Sequence, residues 1–209
     1  MNTATAAPPP ASIETLALPI DGLSEAEVRI GFGGGELTIH QAEPGMLISG
    51  TFEEGVTLRE YGPGRIRLEP RDPARPLVTW APVHWNFGIT GEIPVDLRLD
   101  TGANRAVVDL AALRVRRLEL HTGASETVLR MPTAGQTAAR IECGFASVTV
   151  EVPAGVAARI SGSVGIGALE VDHRRFPRLD GGWSTPGFET AADRIDISVS
   201  GGFGTVKVI

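Results

Sequence analysis

Apolar and polar residues alternate around glycines that recur along the chain. Gly102, Gly123, Gly144 and Gly165 are spaced 21 residues apart. Before each glycine, apolar residues mostly occupy positions −5 and −3, and after it they mostly occupy positions +4 and +6. Alternation with a period of two is typical of a strand with one buried face. Because the buried set changes from odd to even positions, the chain is expected to turn a corner at each glycine.

The 21-residue unit predicts a solenoid. A unit of this length is too short to hold two strands and a crossover helix. Pro132 and Pro153 mark the ends of strands, because proline cannot donate a hydrogen bond to a sheet ladder. Each unit therefore fits one coil of a β-helix, whose strands pair in parallel with those of the next coil. The predicted fold is all-β, a parallel β-helix-like solenoid with 21-residue coils and two loop insertions.

Outward-facing charges support this register independently. If the coils stack, residues 21 apart become neighbours, and opposite charges at such positions stabilise a sheet. The oppositely charged pairs are Asp96 with Arg117, Arg98 with Glu119, Glu119 with Arg140, Arg105 with Glu126, Asp109 with Arg130, and Arg130 with Glu151. Glu151 and Asp172 form the one clear pair of like charges.

The pattern predicts a single domain over residues 12–209, preceded by a disordered tail over residues 1–11. An irregular N-terminal part spans 12–94, with an opening strand at 12–19 and strand candidates near 46–52, 56–60, 65–69 and 83–90. The regular coils span 95–172, a second insertion spans 172–194, and a closing coil spans 195–209. Gly33 and Gly202 head similar segments outside the 21-residue phase. The last strand, 206–209, is expected at a sheet edge, protected by Lys207 or paired in an oligomer.

Composition narrows the possible partners and locations. The chain has 19 Lys and Arg residues against 25 Asp and Glu, a formal charge of −6, which disfavours nucleic-acid binding. No apolar run approaches the roughly 20 residues that span a bilayer. The N-terminus lacks the basic start and apolar stretch of a signal peptide. We therefore expect a cytoplasmic protein, associated with a membrane only through a partner.

No motif predicts catalysis, a cofactor or a metal. The glycine-rich stretch 31–35 lacks the dinucleotide fingerprint and leads into a strand. In the stacked register, His121 lies between Asp100 and Glu142, which fits a solvated ladder better than a metal or proton site. The single cysteine, Cys143, is expected to be a small buried side chain and not a nucleophile. No catalytic, cofactor-binding or metal-binding residue is assigned.

Aromatic side chains cluster in the two insertions. They are Trp80, Trp85, Phe87, Phe176, Trp183 and Phe188. Such side chains form either a surface for a ligand or protein partner or a cap over an open end of the solenoid. The cap is the preferred interpretation.

Three segments, 118–132, 181–188 and 194–206, resemble a known family. They are similar to the LiaF-like, or toastrack, domain of bacterial cell-wall-active antibiotic response proteins, and to adhesin-type domains built from the same repeats. The resemblance covers residues 25–209. It implies a role in envelope stress, in which some members sit at the membrane and restrain a sensor kinase system through protein contacts. It brings no catalytic residues, and this chain lacks the N-terminal transmembrane helices of the membrane members.

The leading hypothesis is a non-enzymatic protein-interaction or scaffold module with an unidentified protein partner. One alternative is a carbohydrate-binding or carbohydrate-active β-helix protein, by analogy with other solenoids. Another is a self-assembling structural or adhesin-like protein that forms homo-oligomers through its sheet edges.

Overall fold

The computed structural model describes residues 12–72, 82–179 and 181–209, which fold almost entirely into β-strands. The predicted tail at 1–11 lies outside these ranges. The strands are β1 (Ile13–Pro19), β2 (Ala26–Gln41), β3 (Met46–Glu53), β4 (Val56–Glu60), β5 (Arg65–Pro70), β6 (His84–Ile89), β7 (Pro94–Asp109), β8 (Arg114–Arg130), β9 (Gln136–Glu151), β10 (Ala157–Val171), β11 (Arg178–Leu179), β12 (Gly182–Ser184) and β13 (Arg194–Val208). A 3-10 helix spans Phe188–Thr190. Among the described residues, no helix has the length and hydrophobicity needed to cross a membrane.

Six long strands, β2, β7, β8, β9, β10 and β13, pass through their glycines without ending there. In β7, Leu97 and Leu99 are buried before Gly102, and Ala106 and Val108 are buried after it. The predicted change from odd to even positions is therefore present. Both halves of the strand contribute to one hydrophobic core, so the strand turns around that core at its glycine. We call the half before the glycine the first arm and the half after it the second arm.

The 21-residue register is confirmed across the three regular strands. β7 pairs in parallel with β8, and β8 with β9. Arg98 lies beside Glu119, which lies beside Arg140, as predicted. Arg98 Nη1 lies 3.2 Å from a carboxylate oxygen of Glu119. The predicted all-β, solenoid-like fold is therefore confirmed.

The position of β13 corrects the predicted order of coils. β13 lies between β9 and β10 and pairs in parallel with both strands. The expected pairing of the Gly144 and Gly165 units is therefore wrong, and so is the expected edge position of the last strand. The segment 172–193 lets the chain return across β10 and reach the free side of β9. This insertion also separates Glu151 from Asp172, whose like charges would otherwise be neighbours.

The two ends of the sheet differ. Beyond β2, the first arm continues with β5 and β4, and the second arm continues with β6, β3 and β1. These strands lie where the sequence predicted the irregular N-terminal candidates. Beyond β10, β12 and β11 extend the first arm. No described strand pairs with the outer side of the second arm of β10.

Candidate interaction surface at the glycine corner

The aromatic residues of the N-terminal insertion lie in the core. Trp85 and Phe87 lie on β6 and are 1% and 0% exposed. The Phe52 ring lies between them, with centroids 5.0 Å from Trp85 and 5.1 Å from Phe87. Side chains that contact a partner must be exposed, so the positions of Trp85 and Phe87 fit the cap better than the partner surface. Trp80, the third predicted member, lies outside the described residues.

The aromatic residues of the second insertion also pack inward. Phe176 and Phe188 are buried, and the half-buried Trp183 packs against the core beside Ile160. The Arg159 guanidinium carbon lies 4.6 Å from the Phe188 ring centroid. Trp183 and Phe188 therefore cover the end of the core on the first-arm side of β10, again the position of a cap.

A different set of apolar side chains is exposed at the corner. Phe145, Phe203 and Ile166 are 63%, 44% and 65% exposed, and each follows the corner glycine of its strand. They are neighbours in the ladder, with Phe203 between the other two. The Phe145 and Phe203 rings stack with centroids 4.8 Å apart and an interplanar angle of 11°. We call these three residues the apolar column.

Sequence reasoning missed the apolar column, although a signal was present. The position directly after the corner glycine is small in the earlier units, where Gly34, Ala103 and Ala124 occupy it. It is large in the three strands that carry the column. The pattern of outward apolar residues at this position identifies all three members, but the 21-residue spacing places Ile166 directly beside Phe145 and does not place Phe203 between them.

On β13 and β10, no residue within four positions of the corner glycine is charged, and the nearest charges are Asp196, Lys207, Arg159 and Glu170. Here the residues flanking the corner are Ser198, Ser200, Thr205, Ser161, Ser163 and Ala168. On β7, β8 and β9, the outward residues of the first arm instead form an ion-pair ladder that includes Arg98, Glu119 and Arg140. An exposed apolar patch whose nearest neighbours are mostly uncharged polar residues is typical of a contact surface.

An open groove of about 810 Å³ runs along the glycines of the corner, beside the apolar column. His121 lines it and lies between two carboxylates, with Nδ1 2.8 Å from Asp100 and Nε2 3.6 Å from Glu142. Burial disfavours ionisation of Asp100, but hydrogen bonds from Arg98 and His121 outweigh it and lower the pKa of this carboxyl. These contacts form the ladder that the sequence predicted. In the described part of the chain, no three His, Cys, Asp or Glu side chains are grouped as metal ligands.

Cys143 also lines the groove, beside Gly201 of β13. Its side chain is buried, as predicted, with 7% of the residue exposed. Burial raises the pKa of the Cys143 thiol, because the thiolate is poorly solvated there. A raised pKa suits a packing role and opposes nucleophilic chemistry at neutral pH.

A family model and a solved structure with a TM-score of 0.82 agree with this fold. Residues 9–151 match the family model described as the N-terminal domain of toast_rack, DUF2154. The chain is similar to a candidate cell adhesion protein from Clostridium sporogenes ATCC 15579, with a TM-score of 0.82 and 18% identity, over 95% of this chain and 99% of that chain. A candidate adhesin from Bacteroides fragilis NCTC 9343 is 9% identical over 95% of this chain and 97% of that chain, with a TM-score of 0.37. No curated protein matches the chain.

Proposed function

Because this chain belongs to the family of the N-terminal domain of toast_rack, we propose that it is a non-enzymatic protein-interaction module that binds its partner through the apolar column. The observation that carries this proposal is the exposure of Phe145, Phe203 and Ile166 at a corner whose nearest residues on β13 and β10 are uncharged. Burying aromatic and aliphatic side chains of this size against a partner supplies favourable free energy, at about 25 cal/mol per Å² of apolar area.

The placement of the apolar column on paired strands supports this role. Its members lie on three adjacent strands of the parallel sheet, and the two phenylalanine rings already stack on each other. A surface that is ordered before binding loses little conformational entropy when a partner arrives. Aromatic residues are also enriched among the side chains that dominate binding energy.

The charged residues near the corner support a non-enzymatic role. Hydrolysis of a glycosidic bond uses two carboxyl groups that converge on the substrate. Here Asp100 accepts hydrogen bonds from Arg98, and Glu119 lies within 3.2 Å of the same guanidinium. Carboxylates that are paired with arginine in this way help to fix the register of neighbouring strands.

We place this interaction in the bacterial envelope-stress response. The toastrack resemblance supports that setting, and the relative described as a candidate cell adhesion protein supports a role in contact between macromolecules. A cytoplasmic location and contact with a membrane through the partner remain predictions. Fractionation of the native bacterium, with and without a cell-wall antibiotic, tests both the location and its change under stress.

Cross-linked pull-downs from the native bacterium test the interaction. The wild-type chain is compared with the double variant Phe145→Ser/Phe203→Ser and with Ile13→Ser, a control at the opposite end of the sheet whose side chain is also 65% exposed. We expect a specific protein to be captured by the wild type and the control but not by the double variant. Recovery of no specific protein, or equal capture by all three, would contradict the proposal.

Two further measurements separate the alternatives. Binding or turnover of a polysaccharide on a glycan array would favour the carbohydrate-binding alternative over a protein partner. Light scattering that shows large assemblies of the purified chain would favour the self-assembling alternative.

A further inference from the structure

We propose that the second arm of β10 is a docking edge for one extended segment of another protein, which joins the sheet as an additional strand. The inference rests on the proposed function, because it specifies how the partner binds. We call residues 165–171 the docking edge.

Backbone groups of the docking edge point to where the next strand would lie. The Asp172 N–H donates to the carbonyl oxygen of Val208 at 3.0 Å, on the β13 side. Since successive residues of a parallel strand point to opposite sides, the N–H and C=O groups of Leu169 and Val171 point away from β13. No described strand pairs with them there. Unpaired backbone donors and acceptors of this kind are satisfied by strand addition.

The side chains of the docking edge are also incompletely covered. Val148 and Val206, the equivalents of Leu169 on the two preceding strands, are 1% and 0% exposed. Leu169 is only partly buried, and Ile166 is 65% exposed. One further strand would cover Leu169 and would place its own side chain next to Ile166 in the apolar column. Natural edge strands are commonly protected by proline or by charged side chains, lysine above all. Residues 165–171 contain no proline or lysine, and their one charged residue, Glu170, lies beside Lys207 of β13.

The shape of this end favours a single strand over a second copy of the chain. β12 and β11 extend the first arm two strands beyond β10, whereas the second arm stops at β10. The result is a step that is one arm wide, beside Trp183 of β12. At the β2 end, additional strands extend both arms. If the β2 end of a second copy were stacked on the β10 end of the first, the first-arm strands of the second copy would collide with β12 and β11. An extended segment fits the step without this collision.

Two exposed arginines beside the docking edge indicate the charge of the segment that docks there. Arg174 and Arg178 follow the docking edge closely in the chain and are exposed. Neither forms an ion pair with an acidic side chain of the described residues, although the Arg178 guanidinium lies 5.4 Å from the Trp183 ring centroid. The occupant we infer is an extended segment with apolar residues at alternate positions and an acidic residue near Arg174.

A displayed peptide library tests the docking edge directly. The library carries peptides of about ten residues, with apolar residues at alternate positions and the others randomised, and is selected on the wild-type chain. The affinity of a selected peptide is then measured by fluorescence anisotropy for the wild type, Val171→Pro and Val171→Ala. Proline removes an N–H that points to the open side, whereas alanine keeps it. We expect Val171→Pro to weaken binding about tenfold or more and Val171→Ala to weaken it less than about threefold.

A second readout leaves the protein unchanged, in case Val171→Pro does not fold. The selected peptide is made in two forms, N-methylated at odd or at even positions. Only one set of its N–H groups can face β10, so we expect one form to lose binding and the other to keep it.

Three results would overturn the docking edge: enrichment of no peptide, equal binding to both Val171 variants when both fold, or equal binding by both methylated forms. Sedimentation that shows wild-type dimers lost in Val171→Pro would identify a second copy as the occupant and would also overturn it. If Phe145→Ser/Phe203→Ser fails to capture a native partner that Val171→Pro still captures, the result supports the interaction module and contradicts the docking edge.

Discussion

Phe203 stacks on Phe145 with ring centroids 4.8 Å apart, although 58 residues separate them in the sequence. The contact exists because β13 lies between β9 and β10 and aligns its corner with theirs. Phe145 is 63% and Phe203 44% exposed, so the stack lies at the surface and is available to a partner.

The stack predicts a small but measurable coupling. Phe145→Ser and Phe203→Ser should each lower the free energy of unfolding by about 1 kcal/mol or less, because these side chains are exposed. In a double-mutant cycle, the two changes should couple by about 0.5–1.5 kcal/mol, as stacked aromatic pairs do. Urea denaturation of the four proteins measures this, and a coupling of zero would mean that the rings do not touch in solution.

The buried aromatic cluster predicts a larger effect. Phe87→Ala should lower the free energy of unfolding by about 3–5 kcal/mol, because it leaves a cavity beside Phe52 and Trp85. Phe145→Ala removes the same side chain from an exposed position and is the matched control. Comparable losses for both variants would show that Phe87 is not in the core and would restore the partner-surface interpretation of the first insertion.

The glycine column predicts a contrast between two neighbouring corners. A Cβ atom at Gly102 would overlap the carbonyl oxygen of Gly33, whereas a Cβ atom at Gly33 would meet nothing within 4 Å. Gly102→Ala should therefore cost about 2 kcal/mol or more. Gly33→Ala should change the free energy of unfolding by about 0.5 kcal/mol or less. Thermal unfolding compares the two, and equal costs would mean that the strands are not stacked this closely at the corner.

Asp100 predicts a pH dependence of stability. Its carboxyl has a lowered pKa in the folded chain, since hydrogen bonds from Arg98 and His121 outweigh the opposing effect of burial. The stabilisation is fully present above the unfolded pKa, about 3.9, and is lost as the pH falls through the lower folded pKa. The wild type should therefore have a higher Tm than Asp100→Asn at pH 7, and the difference should shrink on acidification below about pH 4. A difference in Tm between the two proteins that is the same at pH 7 and below about pH 4 would contradict this prediction.

The arms and the register of the regular coils follow from local features of the chain. Leu97, Leu99, Ala106 and Val108 show the alternation that one buried face imposes on a strand, and Gly102 marks the position where the buried set changes. The charges of Arg98 and Glu119 then specify the register, because a shift of one residue would turn them toward the core.

The position of β13 was decided by tertiary structure. All long strands share the same alternating pattern, so this pattern permits any two of them to pair. Order along the chain is then the only guide, and it favours β10 as the neighbour of β9. The like charges of Glu151 and Asp172 disfavour that pairing, and the segment 172–193 is long enough to permit the other. Which strand pairs with β9 therefore depends on the contacts of the complete sheet.

By itself, the sequence determined the repeating strand, its corner and its charge ladder, because these depend on spacings within a unit or between successive units. The tertiary structure decided which strands are neighbours, and so brought Phe145, Phe203 and Ile166 into one column and left the second arm of β10 uncovered. The physical reason is that burial and exposure are properties of the neighbours that a residue acquires. For this chain, those neighbours come from segments far apart in the sequence.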